Sequence, residues 1–516
     1  MRQLTRSTVS SEDGHVKAKV LRGAAWITVG RVAINVLAFA STLLLARLLA
    51  PADFGLIAIA TTVIAIISSL SELSLAQALI HHPDPEDDHF HTAWTLNFLR
   101  GVILAVVIGA IAWPVSEAYS DPRLLPVMCV IAVFTLLTGA ANPKVVVLSR
   151  RLEFRQEVAL GLVQSAVSFV IGVGVALVWR TYWALVAGLL AGQLAWLITS
   201  YVLVRYRPLF RLGHLRELIS FSGWLSLGQA VNTLNWRADY LTIGYFLGNS
   251  AMGHYTVGDR LALLPTREAT APLFQTLFPA LTLLRDDPVR LRNAYQKAQA
   301  ALCAVALPCG FGVAMIAQPL VILTMGEKWL AAVPVIQFLA GIFAVQTLGS
   351  GVQPLALALG ETRRLFHRDV LNLVVRLPLI AIGLLLGSLM GIVYARCVSG
   401  LFGMILNMRL VRDFTGLRLA DQFAPNMRAL CSTAIMILIT VGAQTVMLVS
   451  NKPENLLLQI VALISIGATS YIAAIFSLWS ASGRPDGLER DILSALTRRL
   501  AGARRSPDLD KTANLP

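Results

Sequence analysis

Apolar runs long enough to cross a bilayer recur along this chain from Leu21 almost to Trp479, with only short polar breaks between them. A helix needs about 20 consecutive apolar residues to cross a hydrocarbon core of about 30 Å. On that length the runs divide into segments 22–49, 54–80, 91–115, 122–148, 156–179, 181–204, 217–247, 252–283, 295–324, 331–359, 367–387, 389–410, 427–449 and 455–480. The pattern predicts an all-α polytopic membrane protein of about fourteen transmembrane helices. Several segments are longer than a span needs, which tilt or extension beyond the hydrocarbon absorbs.

Composition agrees and narrows the reading. With 56% hydrophobic and 14% charged residues among 516, no stretch is left for a separate soluble catalytic domain. The net charge of +14 does not point to nucleic acid, because the basic residues are dispersed between apolar spans. Their distribution reads instead as topology. If the N-terminus is cytoplasmic, the inside segments and adjoining span ends hold 31 Lys or Arg, against only Arg47, Arg123, Arg180, Lys328 and Lys452 outside. Both termini are therefore expected in the cytoplasm. The polar start, 1–21, lacks the apolar core and cleavage site of a removable signal peptide. Cys129, Cys303, Cys309, Cys397 and Cys431 lie in apolar stretches without a Cys-x-x-Cys pair, so neither a disulfide framework nor a zinc site is indicated.

Two polar segments stand apart. His81 to His91, HHPDPEDDHFH, is an inside loop without Lys or Arg. Its acids suit a helix start, with Asp84 as cap and Pro85, Glu86, Asp87 and Asp88 in the first turn. That role is preferred to a metal site, since no ligand spacing is present, and no cofactor is expected. Near the C-terminus Leu488, Ile492, Leu493, Leu496 and Leu500 form an apolar stripe with Arg490, Arg498 and Arg499 elsewhere around the helix, as expected of a helix lying on the inner membrane surface.

The chain also repeats. An offset of 198 residues aligns Ala25-Trp26-Ile27-Thr28-Val29-Gly30 with Gly223-Trp224-Leu225-Ser226-Leu227-Gly228, and Gly55 with Gly253. It sets Pro51-Ala52-Asp53-Phe54-Gly55 on Asn249-Ser250-Ala251-Met252-Gly253, at corresponding outside turns. Six helices separate the copies, so the halves are expected to be parallel: an N-lobe over 22–204, a basic linker over 205–216, a C-lobe over 217–410, then two further helices over 411–480 and a tail over 481–516. Parallel repeats place a substrate cavity between two lobes that alternate access.

Charged residues inside the spans carry the candidate chemistry. Arg31, Arg100, Arg237, Arg260, Arg267, Arg376 and Arg396 fall within spans, Arg100 near enough to an end to snorkel. Each central charge costs about 2.5–3.5 kcal/mol on insertion scales, and the six charges of spans seven and eight about 15 kcal/mol together, so they are expected to face a cavity or one another. Arg31 and Asn35 share a helix face with Ala38 and Thr42; Asn232, Asn235 and Asp239 form a second stripe; Asn372 and Arg376 a third. Arg260 and Arg267 share a face about 10 Å apart. Pro265, Pro272 and Pro279 recur every seven residues and mark a candidate bending helix. The candidate headgroup site is Arg31, Asn35, Arg237, Arg260, Arg267, Arg376 and Arg396, since guanidinium forks fit phosphate oxygens. Glu72, Asp239, Asp259 and Glu268 are candidate coupling carboxylates or partners of these arginines, Arg237 with Asp239 and Arg267 with Glu268 being the nearest pairs in sequence.

Five stretches, LLARLLAPADFGLIAIA (43–59), ELSLAQALI (72–80), GYFLGNSAMGHY (244–255), LFPALTLLRDDPVRLRNAY (277–295) and GEKWLAAVPVIQFLA (326–340), resemble in order and spacing the Wzx-type polysaccharide flippases of the multidrug/oligosaccharidyl-lipid/polysaccharide exporter superfamily. The resemblance runs from about residue 20 to 480 and implies a fourteen-helix inner-membrane fold. It also implies a cargo, undecaprenyl-diphosphate-linked oligosaccharide, with membrane lipids, a polysaccharide polymerase and export machinery as partners. More distantly the chain resembles lipid II flippases, in which basic residues of the first and eighth helices bind pyrophosphate. Arg31 and Arg260 or Arg267 occupy comparable helices. The chain departs from relatives at Tyr245, where a basic residue is often found and which stands opposite Arg47 in the repeat. Two rivals remain at this point: a drug or cation antiporter, which calls for acids in its cavity, and a membrane polymerase or glycosyltransferase, for which Glu117 and Asp121 are the best catalytic carboxylates.

Overall fold

The computed structural model describes residues 26, 29–72, 75, 79, 85–150, 154–215, 223–446, 453–483 and 490. Asp84, expected to cap a helix, and the stripe from Leu488 to Leu500 lie outside the described residues. The described secondary structure is helical, without strands, as the all-α class requires. Its long helices are α1 Val29–Leu48, α2 Pro51–Leu70, α3 Asp87–Ala118, α4 Leu124–Gly139, α5 Phe154–Trp179, α6 Trp183–Leu203, α7 Gly223–Leu283, α8 Pro288–Thr324, α9 Ala332–Ala358, α10 Thr362–Thr415, α11 Met427–Val446 and α12 Pro453–Ala481. Ten helices among the described residues are long and apolar enough to cross a membrane.

Every apolar segment read from the sequence falls on one of these helices, but two adjacent pairs run together. α7 runs from Gly223, within the first of the segments 217–247 and 252–283, to the end of the second with one break at Gly248, whose φ of 79° is left-handed and costs glycine nothing. α10 does the same across 367–387 and 389–410, breaking at Gly387 and Ser388. The backbone of α7 stays helical through Pro265, Pro272 and Pro279, so its departure from helical geometry is at the glycine and not at the prolines. Proline's fixed φ is itself helical; what it removes is one backbone hydrogen bond.

The chain forms two compact units that are not successive stretches. The first comprises Met1–Val257, Thr324–Ala332 and Asp369–Ala395; the second Gly258–Leu323, Val333–Arg368 and Arg396–Pro516. In the first, α3 opens on Glu86 as N-cap, with Asp87 and Asp88 in its first turn and the His89 ring accepting the Glu86 N–H at 3.2 Å. These acids meet the basic residues of neighbouring segments: Lys144 with Asp87 at 2.8 Å and Arg211 with Asp88 at 2.5 Å. Trp94 donates to the Tyr201 hydroxyl at 2.9 Å, and His91 pairs with Tyr206 at 3.0 Å. The same unit folds α10 back on itself, where Gly383 and Gly391 meet backbone to backbone on either side of the break. In the second unit Leu277, Leu281, Leu291, Tyr295, Leu302, Val352 and Leu355 form one apolar cluster. Gln299 there donates to the Thr347 carbonyl and accepts from Gly351 N–H at 3.2 Å.

One contact joins the repeat-related turns. A Cβ on Gly55 would strike the carbonyl of Asn249, and a Cβ on Gly253 would strike the carbonyl of Pro51. The two glycines that the repeat aligns thus let the start of α2 and the middle of α7 cross reciprocally, as small residues do between membrane helices. G55V and G253V should each lower the thermal unfolding midpoint of the purified protein, by an overpacking cost of about 1–3 kcal/mol. The double variant should fall short of the sum, since both load one crossing. G109V, at a glycine with open space around its Cβ, should change the midpoint little.

Candidate functional site

The intramembrane charges sort by what meets them. In the first unit Asp239 of α7 is fully buried and paired with Arg376 of α10 at 3.2 Å, and the Tyr255 hydroxyl donates to the same carboxylate oxygen. Beside it the Asn235 amide donates to the Asp369 carbonyl at 2.8 Å, and Asn372 donates to Asn235 at 3.4 Å. In the second unit Arg396 pairs with Asp259 at 3.3 Å, its guanidinium 5.4 Å from the centre of the Phe343 ring. Arg376 and Arg396 are both buried. A buried charge without a partner costs several kcal/mol, and a paired one in good geometry much less.

Arg31, Arg260 and Arg267 are exposed. The Arg267 side chain is 71% exposed and its neighbour Glu268 stands at 3.9 Å, the outer limit of an ion pair. Arg237 is half-buried, 5.0 Å from the centre of the Tyr240 ring, and Asp239 is taken by Arg376 instead of by this nearer arginine in sequence. Asn35 is half-buried one turn beyond Arg31, and Glu72, half-buried, follows the end of α2.

Sequence reading missed a second assembly, at the end of the first unit where α1 meets α2. Trp329, fully buried, packs edge-on against Phe54 at 5.3 Å and His254 at 5.5 Å, and its ring N–H donates to the Ala46 carbonyl at 2.8 Å. Lys328 donates to the carbonyls of Arg47 and Leu49 at 2.9 and 2.7 Å, a cation on the last carbonyls of α1. Burial pushes the Lys328 ammonium down, and Asp53 works against that. Nearby, Asp121 accepts from Arg123 through both oxygens, at 2.8 Å for the shortest bond, and from Asn249 at 2.5 Å. Burial alone would push the Asp121 carboxyl up, but the bonds from Arg123 and Asn249 outweigh it and hold it below its ordinary 3.8. An ionised, clamped carboxylate is a poor proton donor at neutral pH. Three of the five stretches that carry the family resemblance, 43–59, 244–255 and 326–340, meet in this assembly.

A third group, Glu86, His89 and His214, brings potential ligand atoms within 4.8 Å of one another. His89 and His214 stack at 3.7 Å. His89 Nδ1 already accepts the Glu86 N–H, which in the neutral ring leaves hydrogen on Nε2, so the ring serves the helix start.

Ten helices of membrane length among the described residues, with buried ion pairs, define a polytopic membrane protein, and solved structures share its fold. A lipid II flippase, MurJ, in an inward closed conformation superposes with a TM-score of 0.69 at 12% identity, over 88% of this chain and 100% of that one. An inward-facing multidrug resistance MATE family transporter of the MOP superfamily gives 0.56 at 14%, over 73% and 94%. The chain belongs to the polysaccharide biosynthesis protein family, whose profile matches residues 44–334. The succinoglycan biosynthesis transport protein ExoT of Rhizobium meliloti (strain 1021) is 25% identical over 74% of this chain and 78% of its own length. The lipopolysaccharide biosynthesis protein WzxC of Escherichia coli (strain K12) is 23% identical over 71% and 76%. These relatives bear out the Wzx-type resemblance read from the sequence.

Two measurements test the site's internal construction. D239N and R376M should each destabilise the purified protein by about 3–5 kcal/mol, and the pair D239N/R376M by less than their sum, because the double change leaves no orphaned charge. The lowered carboxyl of Asp121 contributes stability that is complete above its unfolded value of 3.8 and is lost as pH falls through the lower folded value. Protection factors of the amides at 119–124, corrected for the intrinsic pH dependence of exchange, should therefore stay constant from pH 7 to about pH 5 and fall only below about pH 4. D121N should show the lowered protection already at pH 7.

Proposed function

We propose that this chain is a transporter that moves undecaprenyl-diphosphate-linked oligosaccharide repeat units from the cytoplasmic to the periplasmic leaflet of a bacterial inner membrane, for exopolysaccharide or lipopolysaccharide synthesis. The observation that carries the reading is the exposure of Arg31, on the membrane-length helix α1, and of Arg260 and Arg267, on α7 within the segment read from the sequence as a span over 252–283. Guanidinium groups there cost several kcal/mol unless water or an anion meets them, and a diphosphate supplies planar, bidentate acceptors. In this reading the three arginines take the diphosphate, the polyprenyl tail stays in lipid, and the lobes over 22–204 and 217–410 rock to expose the sugar. The headgroup role proposed for Arg376 and Arg396 is the weaker part, since both are engaged with carboxylates. A bound cargo shifts such an equilibrium only by its difference in affinity for the two states.

The Trp329 and Lys328 assembly is, in the same reading, the closed outer end. A drug or cation antiporter is disfavoured because the acids it would use, Asp239 and Asp259, face arginines. An enzyme is disfavoured because Asp121 is clamped.

R31A, R260A and R267A, assayed in a strain lacking the native gene, should each reduce polymer export at least about tenfold, about 1.4 kcal/mol, with normal membrane abundance. R396A should instead lower abundance by leaving Asp259 unpaired in the interior. Full export from the triple variant R31A/R260A/R267A would discard the assignment.

A further inference from the structure

Arg100 is an intramembrane arginine outside the buried ion pairs and outside the proposed diphosphate site. It stands on α3 in the first unit and lines a cavity of about 450 Å³ among α2, α3 and α4, a size typical of small-ligand sites. Its guanidinium gives one N–H to the Ser68 carbonyl at 2.8 Å and another to the Ser71 hydroxyl at 3.2 Å. A guanidinium has five N–H donors, so three remain beyond these two bonds among the described residues. No described carboxylate stands within ion-pair distance of it, Glu72 acting on it only at longer range. The cavity wall has two characters. Asn97, Thr135 and Thr138 add polar groups on the Arg100 side, while Ile64, Leu104 and Phe134 make the rest apolar.

We propose that this cavity binds a phospholipid of the surrounding bilayer, its anionic phosphodiester on Arg100 and the start of its acyl chains along Ile64, Leu104 and Phe134. Charge sets the choice of lipid. One guanidinium with no second basic residue in the lining matches a single negative charge, whereas a diphosphate carries more than one and calls for a cluster. The mixed wall matches a ligand that is ionic at one end and hydrocarbon at the other, and an inorganic anion would leave the apolar part in contact with water. Arg31, Arg260 and Arg267 are not part of its lining, and the proposal does not rest on the transport reading.

The test uses the full chain in detergent, with phosphatidylglycerol, phosphatidylcholine, inorganic phosphate or undecaprenyl diphosphate added, read by thermal shift and by native mass spectrometry of retained lipid. Phosphatidylglycerol should raise the midpoint and stay bound. R100Q should weaken its binding by at least about tenfold. T138W should do the same: Thr138 is an exposed residue of the cavity lining, so the added ring narrows the cavity while leaving Arg100 in place and guards against R100Q merely misfolding. Retention of phosphatidylglycerol equal to wild type in both variants overturns the proposal. So does an equal shift from inorganic phosphate, or undecaprenyl diphosphate displacing phosphatidylglycerol at lower concentration.

Discussion

Hydrocarbon does not solvate charge, and the charged groups inside this bundle are placed by how that cost is met. Asp239 and Arg376 meet it by closing on each other with Tyr255 as a third partner, and Asp259 and Arg396 do so beneath Phe343. Arg100 meets it in part, with a carbonyl and a hydroxyl, and keeps donors for a cavity. Arg31, Arg260 and Arg267 remain exposed. The same residue type therefore supports three different inferences, and what separates them is burial: closed on a buried carboxylate, lining a cavity, or exposed on the helix surface.

Backbone contact without side chains is the second constraint. In lipid, helices gain little from apolar burial against each other, so close approach and shape decide packing. Gly55 against Asn249, Gly253 against Pro51, and Gly383 against Gly391 are points at which a single Cβ would separate two backbones. The crossing at Gly55 and Gly253 explains why the first compact unit takes in the first part of α7, although the sequence repeat assigns that helix to the other half.

Much of this was legible from sequence because its causes are local. Hydrophobic length alone put each apolar segment on a helix, and the offset of 198 residues marked the two glycines that meet. Partner choice was not legible. Sequence adjacency suggested Arg237 for Asp239, whereas the partner is Arg376, contributed by α10, 137 residues away. Residues two apart on a helix point about 200° apart, to nearly opposite sides, and a buried acid pairs with whatever the facing helix presents. Periodic prolines suggested a bending helix over 252–283, where the φ and ψ stay helical, and the break at Gly248 falls instead at the turn read between 217–247 and 252–283, where a left-handed φ selects glycine. Arg100 was read as snorkelling from its distance to a span end, and the cavity it lines is built by α2 and α4, which its own sequence surroundings do not reveal. The stretch GEKW carried family resemblance without a stated role; its tryptophan and lysine both use carbonyls of α1, and no side-chain pattern in α1 signals an available carbonyl.

In the transport cycle proposed above, these observations divide the bundle into parts that must hold and parts that must yield. The pairs Asp239–Arg376 and Asp259–Arg396 each join residues of the one proposed lobe over 217–410, so rocking of that lobe leaves them intact. Separating either pair would leave a charge in low dielectric at a cost of several kcal/mol, which a moving part cannot meet in each cycle. The contacts at the α1–α2 turn are of another kind. Lys328 binds carbonyls that water can satisfy equally well, and the crossing at Gly55 and Gly253 is held by shape, with no ionic bond to break. Trp329 is the exception, because a buried indole exposes apolar surface when it leaves its pocket. Opening that end therefore hinges on where the Trp329 ring goes, and an opened state that gave it a second apolar pocket would bring the two states close enough in energy for a cargo to decide between them.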